Sequence, residues 1–313
     1  MQIRRLESSE RAVAESVFRS GFARQLRYED PEKFSPGYSL LGRFVGEPEG
    51  CFGGFIDGQL VAVAFCSSFG SIGVFGPAAV KPDLWGGGIG QRLLQTAIDY
   101  FHSQGIAKIG LTTFPDSPKH VGMYHKLGFY PRNLIAMMVK QIDKEMESKN
   151  PPPFRKFSEL TSDEMEGAFK SFTMITDTIY EGMHFCRQVG VVGGLGIGET
   201  LMIDDGTSLV GFALCHFGDG AETETGVCQV KQAAVLPSPK ASNHFAVLLE
   251  ACSAYAKEKG ATKLLFGLNA GRRAAFDQTL SSNCRIDSLG VAMHRPDEPF
   301  ADRRDVYVID DWR

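Results

Sequence analysis

The chain has 313 residues, 43% hydrophobic and 22% charged, which excludes a disordered chain and leaves room for two domains. With 33 Lys plus Arg against 37 Asp plus Glu, the formal charge of -4 provides no electrostatic footprint for nucleic acid or an anionic membrane surface. Seven cysteines, at 51, 66, 186, 215, 228, 252 and 284, are odd in number and form no CxxC pair. They argue against a disulfide framework and for a reducing, cytoplasmic setting. The histidines show no HExxH or paired ligand spacing, so no metal is expected. The start, MQIRRLESSERAVAES, lacks an apolar core, and no apolar run approaches a bilayer span.

Residues 2–6 read as an edge strand. Ser8 or Ser9 is the expected cap of a helix reaching about Leu26, with Glu10 adding negative charge to its first turn. Residues 27–50 have no clear period and fit a second helix or a loop over a cleft. From Cys51 the pattern turns to strands, and CFGGFIDGQLVAVAFCSSFG reads as a hairpin turning at Asp57-Gly58. Residues 71–80 form the next strand.

The stretch AAVKPDLWGGGIGQ at 78–91 concentrates the chemistry. A strand ends, the glycines Gly86, Gly87, Gly88 and Gly90 follow, and a helix opens with an apolar face of Leu93, Leu94, Ala97, Ile98 and Phe101. Glycines let backbone approach a ligand closely, and the first N–H groups of a helix have no internal acceptor, so this is an anion site suited to a phosphate or pyrophosphate. A strand over 106–114 comes next, then a short helix with Ser117 as N-cap and Pro118 at its first position, stopping at Gly128. Residues 129–140 return as a long strand. The predicted fold class is α+β (α/β), a mixed and mainly antiparallel twisted sheet flanked by helices.

Residues 141–156 are charged and carry Pro151, Pro152 and Pro153, a stiff extended connection that places a boundary between domains at 1–148 and 149–313. The second half repeats the first: AAVKP at 78–82 recurs as AAVLP at 233–237, and the same offset of 155 pairs Leu93 with Leu248, Tyr100 with Tyr255 and Gly105 with Gly260. At that offset the segment 85–90 becomes Lys240, Ala241, Ser242, Asn243, His244 and Phe245, so every loop glycine is lost and the second copy is expected to lack the phosphate site. The segment GGLGIGET at 193–200 misses the dinucleotide spacing and reads as a flexible inter-domain loop. Cys66 reads as core, and Arg303-Arg304 as a solvated turn.

The first half resembles the GCN5-related N-acetyltransferase (GNAT) superfamily, through Val80-Lys81-Pro82 closing a strand, the loop from Trp85 to Gly90 opening a helix, and Tyr124-His125-Lys126-Leu127-Gly128-Phe129. It departs from that pattern at Trp85, where Arg or Gln usually starts the loop, and at Ser117, often Asn. The resemblance implies two tandem domains of this fold, the second degenerate, and acetyl-CoA as co-substrate. Its pantetheine would lie along Ala78, Ala79 and Val80, and its pyrophosphate on the N–H groups of Gly86, Gly88, Ile89, Gly90 and Gln91, with Trp85, Gly87, Ser117 and Tyr124 completing the site. Direct attack by a small-molecule amine acceptor is implied, with Tyr124 as the acid for the leaving thiolate. The strand SIGVFGPAAVKP has no acidic residue, so the base stays open between Asp116, His120, relaying water and an amine that arrives neutral. Asp83 reads as a solvated turn residue, and residues 176–192, with Tyr180, Glu181, His184 and Arg187, as an acceptor-facing loop. A non-catalytic acyl-CoA sensor is the competing expectation. Nucleic acid and membrane are not expected partners, and the chain would be a monomer or homodimer.

Overall fold

The computed structural model describes residues 1–143 and 152–311. Its first half runs β1 (Gln2–Arg5), α1 (Arg11–Gln25), α2 (Leu41–Gly46), β2 (Cys51–Ile56), β3 (Gln59–Phe69), β4 (Ile72–Val80), α3 (Ile89–Ser103), β5 (Lys108–Thr113), α4 (Pro118–Lys126) and β6 (Tyr130–Gln141). Asp57 and Gly58 take φ of 49° and 77°, the geometry of a type I′ turn, whose twist matches the flanking strands and fixes β2 against β3. Neither Ser8 nor Ser9 caps α1. Glu7 and Glu10 form a capping box around a 3-10 turn over Ser8–Glu10, and the helix proper follows.

The second half continues with β7 (Arg155–Lys156), α5 (Ser162–Ile179), α6 (Cys186–Leu195), β8 (Gly198–Asp204), β9 (Leu209–His216), β10 (Val227–Val235), α7 (Ala241–Glu258), β11 (Lys263–Asn269), α8 (Arg273–Leu280), β12 (Arg285–Arg295) and β13 (Val308–Asp310). Most of the charged and proline-rich connection, residues 144–151, lies outside the described residues. The glycines at 193 and 194 belong to α6, Gly196 caps that helix in the left-handed conformation, and β8 starts at Gly198, so the expected flexible loop is a helix-to-strand junction.

The element order β4-α3-β5-α4-β6 recurs as β10-α7-β11-α8-β12. β4 starts at Ile72 and β10 at Val227, β5 at Lys108 and β11 at Lys263, α4 at Pro118 and α8 at Arg273, β6 at Tyr130 and β12 at Arg285, each pair 155 residues apart. All thirteen strands form one mixed, mainly antiparallel sheet flanked by helices, in the order β1-β2-β3-β4-β5-β12-β6-β11-β10-β9-β8-β7 with β13 on β10. Among the described residues only β4 with β5 and β10 with β11 run parallel.

That order contains a reciprocal exchange. β12, the last long strand of the second half, pairs with β5, where Val291 faces Thr113, and β6 of the first half pairs with β11, where Met138 faces Phe266. The two exchanged strands also pair with each other. Packing follows the same logic. α3 and α4 cover one face of the first half, with Leu93, Leu94, Ile98 and Phe101 against Phe75, Phe129 and Met293 of the exchanged β12. α1 and α2 cover the other, with Val17, Phe18 and Phe44 against Phe65 and Ala79. α5 and α6 place Phe172, Ile175, Phe185 and Val189 in one core with Phe69, Ile72 and Val74 of the first half and Phe212 and Leu214 of the second. Among the described residues no helix is long and apolar enough to cross a membrane.

Candidate functional site

β4 and β5 pair only at Ile72, Gly73 and Val74 against Lys108, Ile109 and Gly110, although β4 runs on to Val80 and β5 to Thr113. The register between β3 and β4 shows why they part. Ala64 faces Ala78 while Cys66 faces Phe75, so β4 carries one extra residue at Gly76-Pro77. A bulge bends its strand and increases the twist, and proline supplies no N–H. The result is a V between the two strands, with the β5-side edge of Ala78, Ala79 and Val80 left outside the ladder.

The glycine loop closes the wide end of the V. Gly86 and Gly88 have φ of 90° and 75°, and a Cβ at either would meet nothing, so glycine is required there by conformation and not by crowding. Gly88 is the N-cap of α3, a helix of 15 residues, whose first N–H groups at Ile89, Gly90 and Gln91 have no intrahelical acceptor. A Cβ on Gly90 would lie 3.6 Å from Val80 Cγ2 and 3.7 Å from Met123 Sδ, so the start of α3, the end of β4 and α4 converge on one point. Trp85 spans that point: its indole N–H donates to the Val80 carbonyl at 2.8 Å, and the Lys119 ammonium lies 4.4 Å from the ring centroid.

Ser117 at the N-cap of α4 is followed three and seven positions later by His120 and Tyr124 of the helix. Tyr124 is 8% exposed, packed near the rings of Phe75 and Phe129. Burial pushes its phenol up to about 12, while a side-chain hydrogen bond with Thr113 of β5 acts the other way. Ser117 occupies the N-cap position without capping the backbone; its Oγ instead lies 2.7 Å from His120 Nδ1. Burial, helped by the Lys119 charge and opposed by Asp116, lowers the His120 pKa below its ordinary value, so the imidazole is neutral at pH 7. Asp116 and Asp83 are exposed.

The second half shows the same V with a different occupant. β10 has its extra residue at Lys231, the counterpart of Gly76, and pairs with β11 only as far as Val230. Beyond that, Gln232, Ala233 and Ala234, the counterparts of Pro77, Ala78 and Ala79, pair with Asp310, Ile309 and Val308 of β13. Arg272 stands where Ser117 stands in the first half and is fully buried. It donates from Nε to the Ala301 carbonyl at 2.8 Å, from Nη1 to the Val308 carbonyl at 3.0 Å, and through both terminal nitrogens to the Asp310 carboxylate. Thr279 takes the place of Tyr124, and its buried hydroxyl has no hydrogen-bond partner among the described residues. Ala241 and buried Phe245 fill the positions of Gly86 and Gly90. In the second half, then, the strand edge that corresponds to Pro77–Ala79 is occupied by a peptide strand.

Sequence reasoning missed a second polar centre between the halves. Arg43 of α2 donates to Glu222 from Nε at 2.7 Å and Nη2 at 2.8 Å, and to Ser67 Oγ at 2.6 Å, all buried. Its partner is 179 residues away, which no local pattern encodes. With Lys231, His216, Glu47 and Arg187 these residues line a cleft of about 490 Å³ including its open mouth. The segment 176–192 reaches the first half at the β3–β4 turn: Ser71 N–H donates to the Gly182 carbonyl at 2.9 Å, Ser71 Oγ to the Glu181 carbonyl at 2.6 Å, and Arg187 pairs with Glu47 at 3.0 Å. His184 N–H donates to the Phe69 carbonyl, and Tyr180 lies under Lys108 at the start of β5. The structure therefore places these residues at the opposite end of β4 from Val80.

Burial holds His216 and His294 at about 4, well under the ordinary histidine value. Their folded-state pKa values are depressed, so the neutral rings contribute fully above about pH 6.5 and that contribution is lost as pH falls towards 4. Each is expected to cost about 3 kcal/mol over that window. Chemical denaturation at pH 7 and pH 4.5 checks this; equal midpoints would refute it.

The family model for the acetyltransferase (GNAT) family matches residues 13–129. Comparison with curated proteins finds no match. Among solved structures, the chain is similar to a protein named as a putative acetyltransferase from Pyrococcus horikoshii, at 14% identity, TM-score 0.70, covering 99% of this chain and 94% of that one. It is also similar to a GCN5-related N-acetyltransferase from Sphaerobacter thermophilus, at 13% identity, TM-score 0.58 and 96% of both chains. A third, from Anabaena variabilis, has 12% identity and TM-score 0.51 over 94% of this chain and 72% of that one. At these identities the likeness is one of fold. The V, its glycine loop and Tyr124 lie within the matched segment, and the chain carries over residues 13–129 a domain of the acetyltransferase (GNAT) family.

Proposed function

We propose that this protein is an N-acetyltransferase that moves an acetyl group from acetyl-CoA to a small-molecule amine by direct attack in a ternary complex. Residues 1–148 form the working domain, and residues 149–313 a degenerate copy without a cofactor site. The observation that carries this reading is the opened β4 edge meeting the glycine loop and Tyr124. Acetyl-CoA supplies the acyl group as an activated thioester. The β4 edge at Ala78, Ala79 and Val80 orients the pantetheine arm as β13 is oriented on Gln232–Ala234. The N–H groups of Gly86, Gly88, Ile89, Gly90 and Gln91 hold the pyrophosphate, with Gly87 between them and Trp85 and Ser117 at the edges of the site. Tyr124, whose pKa burial raises, is protonated at neutral pH and donates its proton from Oη to the departing sulfur. His120, neutral and held by Ser117, accepts the proton lost by the amine, directly or through water. The cytoplasm fits this reading, since all seven cysteines are thiols.

Free-thiol release from acetyl-CoA across a panel of amines, with calorimetry of CoA binding alongside, tests this. The expected result is amine-dependent release and one CoA bound per chain, because β13 fills the second V. Tight binding without transfer to any acceptor would replace the enzyme by an acyl-CoA sensor. Two CoA per chain would refute the degenerate copy, and none would refute the donor.

A further inference from the structure

Lys119 sits at an electrostatically awkward position. It is the second residue of α4, where the helix dipole is positive and a cation is disfavoured. It is exposed, and among the described residues it forms no ion pair; its one specific contact is with the Trp85 indole face, 4.4 Å from the centroid. An exposed cation–π contact is weak and readily exchanged for a stronger one. Trp85 is in turn fixed, because its N–H is tied to the Val80 carbonyl at 2.8 Å, so the ring is a seat whose position the end of β4 sets. The residues that follow it are the exposed glycines 86–88 and the first turn of α3. An ammonium thus waits beside a backbone cradle for an anion, in a chain whose loop lacks a cationic side chain of its own from Asp83 to Gln91.

We propose that Lys119 is a phosphate-binding residue, which leaves the Trp85 ring and pairs with the pyrophosphate of an acyl-CoA seated on the glycine loop. Trp85 then serves as the positioning residue that parks the ammonium within reach, and the cation that the loop lacks comes from α4. A charge-assisted contact to phosphate is stronger than the ring contact it replaces. The inference rests on the acyl-CoA reading above.

The chain has two tryptophans, Trp85 and Trp312, so a Trp312→Phe background makes Trp85 the sole indole reporter. Titration with CoA is expected to change Trp85 emission as the ammonium departs. Lys119→Ala in that background is expected to start with altered emission and to bind CoA about tenfold more weakly by calorimetry, with Lys119→Arg close to the parent. Dephospho-CoA, which keeps the pyrophosphate but lacks the 3′-phosphate, should show the same tenfold loss. A loss confined to CoA would move the contact to the 3′-phosphate and overturn the pyrophosphate assignment. If the parent binds CoA and Lys119→Ala binds it equally well, the proposal fails while the donor reading stands; if the parent binds no CoA, the donor reading itself fails. Thermal melts of the variants keep loss of fold apart from loss of affinity.

Discussion

Tyr124→Phe is expected to lower turnover by roughly 10² to 10⁴-fold and to leave CoA affinity within about twofold of the parent, if Tyr124 is the proposed acid. The ring is held on three sides, by Phe75 of β4, Phe129 at the start of the exchanged strand's turn, and the Thr113 side chain of β5. Losing only the hydroxyl therefore preserves packing and removes the proposed proton donor. With the phenol near 12, the parent shows no loss of this group through the alkaline range in which amines become neutral, so its rate rises with pH and then levels. Single-turnover thiol release and CoA calorimetry on the same preparation separate the two effects. Unchanged turnover, or a loss of CoA affinity as large as the loss of rate, would remove Tyr124 from the acid role.

Arg272→Ala is expected to cost about 3–5 kcal/mol of stability. The guanidinium is fully buried and bonds to Asp310 and to the carbonyls of Ala301 and Val308, so its removal leaves the Asp310 carboxylate and two carbonyls without their donors. The double variant Arg272→Ala with Asp310→Ala leaves no stranded charge and should lose less than the two single variants added together. Denaturant melts of the three proteins check this; a single variant as stable as the parent would show that β13 is held by other contacts.

Local features were legible in the sequence because local physics determines them. Asp57-Gly58 announced its turn, the apolar spacing from Leu93 to Phe101 announced the buried face of α3, and Gly86 and Gly88 announced backbone that needs positive φ. The offset of 155 read from AAVKP and AAVLP holds at the start of β4, β5, α4 and β6. What stayed hidden depends on residues far apart in the chain. Nothing in Arg285–Arg295 says that its partner is Thr113 and not a strand of its own half, since that pairing joins segments far apart in the chain. Nothing in Val308–Asp310 says that three residues fill a groove. Arg43 and Glu222 meet across 179 residues, a separation that no local pattern encodes. Trp85 looked like an unexplained departure because its two partners, the Val80 carbonyl and Lys119, come from a strand end and a separate helix. The serine caps failed for a smaller reason: Glu7 and Glu10 satisfy each other's backbone N–H groups, which left Ser8 and Ser9 no cap to form.

The placement of β12 beside β5 has a consequence for how the protein is made. A ribosome releases β5 and its open edge long before Arg285–Arg295 has been synthesised, and until then the hydrogen-bonding row from Ile109 to Thr113 has no strand to meet. Met293 likewise reaches the core around Phe101 and Phe129 only at the end of translation. In the folded chain each half's sheet is completed by a strand of the other, so this pairing has a high contact order of the kind that slows folding. The candidate site lies almost wholly in the first 129 residues, yet Thr113 beside Tyr124 pairs with Val291 from near the end of the chain.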